Sequence, residues 1–146
     1  MESEANYWLF EYINWYVFHK LAWDMSRDVE EILSEHHRVM FGPAAEPMGR
    51  FFDRLEERWM TRGLGRVKQT DVGPVMVHPS EERMWTSIYD DEFIAALETV
   101  LDEAEALAPT DSLHRKRVAF FRGEFLGAMI EDRNEYMAEK RDIEDL

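Results

Sequence analysis

The stretch from Tyr7 to Trp23 constrains this chain more than any other: it is too apolar for a surface helix and too charged for a membrane span. Tyr7, Trp8, Leu9, Phe10, Tyr12, Ile13, Trp15, Tyr16, Val17, Phe18, Leu21, Ala22 and Trp23 leave few polar positions between them. Its length, with no turn residue inside it, excludes a strand and predicts a helix over about Ala5 to Trp23. The apolar side chains surround that helix, the pattern of a helix covered on all sides. A span needs about 20 mostly apolar residues, and charges at its centre cost several kcal/mol. Glu11, Asn14, His19 and Lys20 are spread along the stretch, so no membrane partner is expected.

A chain of 146 residues fits one domain but has few other helices to enclose this one. Chains of this size fold to a surface of roughly 7,900 Å², burying about 69% of what the unfolded chain exposes. The hydrophobic share of 45% argues against disorder despite 33% charged residues. Cysteine is absent, which excludes disulfides, thiolate metal sites and cysteine nucleophiles. Seventeen Lys and Arg against 31 Asp and Glu give a net charge of −14, so a nucleic-acid partner is not expected either. Glu2 and Glu4 after Met1 have the wrong charge for a signal peptide, and localisation stays open.

The rest of the chain predicts an all-α fold, an irregular bundle of four to five helices over residues 5–142, with frayed ends at 1–4 and 143–146. Ser26 or Asp28 caps a second helix running to about Phe41. Gly42 suits the end of that helix and Pro43 the start of the next, making this pair a structural turn. A third helix runs from about Ala44 to Met60, with Met48, Phe51, Phe52, Leu55 and Trp59 on one face. Glycines and prolines then break the chain from about Thr61 to Tyr89, predicting one long loop. Short extended pieces at Val67 and at Val72–Val77, and a short helix over Glu81–Ile88, fit within it. A fourth helix spans about Asp90 to Ala108, with a stripe of Phe93, Ile94, Leu97, Val100, Leu101, Ala104 and Leu107. Its other face, with Glu92, Glu98, Asp102, Glu103 and Glu105, is read as solvated. Asp111 or Ser112 caps a fifth helix of up to about 30 residues, with Val118, Phe121, Phe125, Met129 and Tyr136 inward.

Chemistry is sparse. His36 and His37 point about 100° apart on a helix and cannot share one metal, so one is expected packed and the other solvated. No Glu-x-x-His pair occurs, which removes a di-iron bundle. No G-x-S-x-G, G-x-G-x-x-G or P-loop pattern is present. Asp90, Asp91 and Glu92 read as a helix N-terminus rather than an acid/base pair. No catalytic residue, cofactor or metal is therefore expected. The aromatic cluster Tyr7, Trp8, Tyr12, Trp15, Tyr16 and Trp23 stands out as an interface, with a carbohydrate-stacking platform as the other reading.

A longer pattern runs from Tyr12 through Asn14, Trp15, Tyr16, Leu21 and Trp23 to Asp24. It continues with Asp28-Val29 opening a helix and Phe41-Gly42-Pro43-Ala44-Ala45-Glu46-Pro47-Met48. This resembles the C-terminal helical region of the glycoside-hydrolase-like family catalogued as domain of unknown function 4838, a resemblance covering about Tyr12 to Phe125. Arg117-Val118 matches the family's motif near the start of its last helix, and Met25 stands where the family often has proline. The resemblance implies an upstream (β/α)₈ barrel, as in the related α-glucuronidases, which would carry the catalytic carboxylates. No catalytic residue transfers to this chain.

The expected function is a non-catalytic helical module of a carbohydrate-active protein, packing against that barrel. The alternatives are a contributor of sugar-subsite contacts to a neighbouring barrel and a free-standing protein-interaction domain. Three surplus buried rings represent about 450–750 Å² of aromatic surface. A homo-oligomer joined through the first helix is therefore also expected.

Overall fold

The computed structural model describes residues 8–64 and 66–144. The fold is all-α, an irregular bundle of five principal rods with one small hairpin on its side. The rods are α1 (Trp8–Trp23), α2 (Val29–Phe41), α3 (Ala45–Arg58), α5 (Asp91–Leu107) and the pair α6 (Leu113–Phe120) and α7 (Ala128–Glu144). A π-helical segment, Phe121–Gly127, joins α6 to α7, so the last rod runs without a break. It is helical to Glu144, past the point where fraying was expected, whereas residues 1–4 lie outside the described residues.

Local chemistry sets the boundaries. Of the two candidate caps for α2, Asp28 serves, accepting from the backbone N–H of Glu30 at 2.9 Å and Glu31 at 3.2 Å. Asp90 caps α5 through the Phe93 N–H at 2.9 Å, and Ser112 caps α6 through the Arg115 N–H at 3.1 Å. Asp111, the other candidate, takes a left-handed turn at φ 62°. Gly42 closes α2 at φ 53°, its N–H donating to the Arg38 carbonyl. Pro43 lies in the 3-10 turn Gly42–Ala44, so α3 begins at Ala45. A side chain at Gly42 is excluded twice: its φ is left-handed, and a Cβ would lie 2.7 Å from the His114 ring. His114 Nδ1 and Arg117 both donate to the Met40 carbonyl at the end of α2, at 3.1 and 3.0 Å. Residues 74 and 77 positions apart thus satisfy the open end of α2.

The region expected as a loop is mostly regular. β1 (Arg66–Thr70) and β2 (Gly73–Val77) pair antiparallel, Val67 opposite Met76 and Lys68 opposite Val75. The short helix α4 (Glu81–Arg83) continues as a π turn, Met84–Ile88. Another π turn, Trp59–Gly63, extends α3.

The core lies between α3, α5 and the last rod. Met48, Phe51, Leu97, Leu101, Val118 and Leu126 are essentially excluded from water. The α5 stripe departs from its expected course at the end: Leu107 is 54% exposed and Ala108 is buried in its place. The helix stops at Leu107 and the chain extends at Ala108, where Arg115 donates to the carbonyls of Glu105 and Ala108. The acidic face of α5 is not simply solvated either. Arg122 binds Asp102 and Glu105 at 2.7 Å each, and Arg50 pairs with Glu103.

Candidate functional site

α1 lies at the edge of this core, with Leu9 and Tyr12 packed against it. Of its described side chains none is fully buried. It leans mainly on α2, through Tyr12 on His36 and Lys20 on Glu35 at 3.2 Å. The gap between α1 and the rest of the bundle is an open apolar groove of about 1000 Å³. Leu9, Ile13, Val17 and Leu21 recur at every fourth position of α1 and make one wall. Phe52, Leu55, Trp59 and Met60 of α3 and its π turn make the other. Met84 and Trp85 close one side, with Phe125 and Met129 at the back.

All three π segments feed this groove: Trp59 and Met60 from the first, Met84 and Trp85 from the second, Phe125 from the third. A π turn widens the helix by one residue and re-aims the side chains around it. Trp59 illustrates the effect. Its ring lies over Gly63, where a Cβ would come within 2.2 Å of it, so only glycine lets the indole lie there.

At the α1–α2 contact sits a buried polar chain. The Tyr12 hydroxyl is 2.8 Å from His36 Nε2, and His36 Nδ1 is 3.1 Å from His37 Nδ1. The Tyr12 hydroxyl can donate to or accept from His36 Nε2, according to the tautomer of His36. Two neutral arrangements satisfy the chain: the proton of His36 sits on Nδ1 and is donated to His37, or on Nε2 and is donated to Tyr12 while His37 Nδ1 donates to His36. Both histidines are buried, 2% and 8% exposed, which corrects the expectation of one packed and one solvated. Adjacent rings do leave the helix in different directions, but Tyr12 and Tyr16 cover the first while Phe52 stacks on the second at 5.4 Å. Burial pushes His36 down to about 4, with the neighbouring His37 adding to the effect. Burial also lowers His37, against the opposing pull of the Asp53 carboxylate.

The four described members of the aromatic set marked in the sequence do not form one cluster. Tyr12 and Tyr16 face α2 and His36, with Lys20 over the Tyr16 ring at 5.3 Å. Trp15 is half-buried and donates to Glu11 at 3.3 Å. Trp23 is 94% exposed. Tyr7 and the side chain of Trp8 lie outside the described residues. Reading α1 alone missed the opposite wall, because Trp59 reads only as part of the third helix's face and Met84 and Trp85 come from a segment broken by glycine and proline. Their bulk beside helix breakers was the available signal.

Among the described residues no group of three or more His, Asp or Glu side chains gathers as a metal would require, and no helix is long and apolar enough to cross a membrane. The arrangement offers apolar surface and shape rather than a nucleophile with its base. No family model matches the chain, and no curated protein or solved structure matches it either.

Proposed function

We propose that this chain is a non-catalytic helical module of a glycoside-hydrolase-like protein, packing through α1 against a neighbouring (β/α)₈ barrel. One observation carries the reading: α1 offers apolar side chains on two sides and its own bundle buries neither fully. Its inner ridge lines an open groove, while Phe18, 59% exposed, and Trp23 face outward with Met25 beside them. The hairpin adds exposed Val67, Val72 and Met76. Exposed apolar side chains gathered on one helix mark an interaction surface. The resemblance to the helical C-terminal region supplies the identity of the neighbour. When the barrel is withheld, the outward side of α1, at Phe18 and Trp23, drives self-association.

The test is hydrogen exchange on the natural gene product, compared with the isolated chain. Amides of α1 and the hairpin are expected to exchange more slowly in the parent. Equal exchange in both, or an upstream reading frame that encodes no barrel, overturns the proposal. Sedimentation of the isolated chain at micromolar concentration is expected to show a dimer.

A further inference from the structure

We propose that the groove between α1 and α3 receives one amphipathic helix of the neighbouring partner, with an apolar stripe and lysine or arginine shoulders. The inference rests on the module reading above and names the chemistry of the contact. The groove follows α1 from Leu9 to Leu21. At 1.5 Å per residue this is about 18 Å, or a little over three turns. A volume of about 1000 Å³ over that length gives a mean section of about 55 Å², or ~8 Å across. A whole helix with its side chains is about 10–12 Å wide. The groove therefore admits the apolar side of a helix and leaves its polar side at the surface, the helix-in-groove mode of recognition. Three methionines, Met60, Met84 and Met129, line it and allow the walls to adapt to branched side chains.

Charge selects the shoulders. Besides His37, Asn14, Tyr12 and Tyr89, the polar residues at the groove are Asp53, Glu56 and Asp132, all exposed carboxylates. No lysine or arginine lines it among the described residues. The nearby arginines are engaged elsewhere: Arg54 on the Ala96 carbonyl, Arg58 on Asp90, Arg133 on Asp91 and the Trp85 carbonyl. A second copy of this chain, at −14, brings the wrong sign to this rim. A basic helix brings the right one.

The probe is a synthetic helix of about 12–14 residues, with leucines at i, i+3, i+4, i+7 and i+11 and lysines on both flanks. It is titrated into the intact chain while Trp59 and Trp85 fluorescence is followed. A matched peptide carries glutamates on its flanks. The lysine peptide is expected to bind, to weaken with added salt, and to outbind the glutamate peptide by at least about tenfold. Glu56→Lys with Asp132→Lys, both at exposed positions, is expected to reverse that order while circular dichroism stays unchanged. Equal binding of the two peptides, no binding of either, or an order indifferent to the double reversal overturns the proposal. So does a dimer in which a second copy fills the groove. If the parent barrel protects α1 while the lysine peptide fails, the groove proposal falls and the module reading stands. If the peptide binds and the barrel gives no protection, the barrel falls as the source of the helix.

Discussion

α5 and α1 have nearly the same length, 17 and 16 residues, and both are rich in apolar side chains, yet they meet opposite fates. α5 buries Phe93, Ile94, Leu97, Val100, Leu101 and Ala104 along one stripe. Its opposite face carries charge, and part of that charge is paired with Arg50 and Arg122. α1 spreads its apolar residues around the helix and buries none of the described ones fully. A stripe is satisfied by one neighbouring layer, whereas a ring needs neighbours all round. The bundle supplies α5 with its layer. It supplies α1 mainly with α2, and at Tyr12 with Phe52 and Phe121, and the rest of the ring is left for something else.

The comparison is sharpest in stability. Leu97→Ala removes a fully buried side chain between packed helices and is expected to cost about 2–5 kcal/mol. Val17→Ala removes a half-buried one from the groove wall and is expected to cost about 1 kcal/mol or less. Urea unfolding of both variants checks this. Equal losses would mean that α1 is as integral to the core as α5.

Lowering the pH is expected to act next most strongly, and at the α1–α2 contact. His36 titrates near 4 in the folded chain against about 6.5 unfolded, and burial lowers His37 in the same direction. The folded state therefore disfavours the protonated form. Its contribution is fully present above about pH 6.5 and is lost as pH falls toward 4, on the order of 2–3 kcal/mol for His36. Tyr12, Tyr16, His37 and Asp53 face the pair, and Asp53 offsets part of the loss at His37. Unfolding curves between pH 7 and 4, with ring-proton titration by NMR, measure it. A flat stability profile would show that water reaches both rings.

The smallest expected effect on stability belongs to Trp23→Ser. The indole is exposed, so unfolding free energy is expected to stay within about 0.5 kcal/mol. Self-association by sedimentation is expected to weaken. Loss of stability without loss of association would place Trp23 inside the fold and remove the contrast with α5.

Much of the architecture was legible along the chain because it depends on near neighbours. Caps at Asp28, Asp90 and Ser112 each use a side chain two or three residues from the amides it serves. Gly42 was readable as a helix end because φ 53° suits glycine. The groove was not legible. It needs Ile13, Leu55 and Trp85 brought together from three segments, and helical spacing reports a face without reporting what that face meets.

The residue pattern by itself determined the all-α class, the close of α2 at Gly42, the start of α5 near Asp90, a choice of two caps each for α2 and α6, and the surplus apolar ring of α1. Those follow from side chains acting on their own turn of backbone. Tertiary structure alone decided that His36 and His37 are both buried, that Leu107 gives way to Ala108, and that Arg122 claims Asp102 and Glu105 from 20 and 17 residues away. It also decided that Arg117 and His114 close the end of α2. Burial and pairing depend on which surfaces meet, and that is settled only when helices distant in the chain pack together.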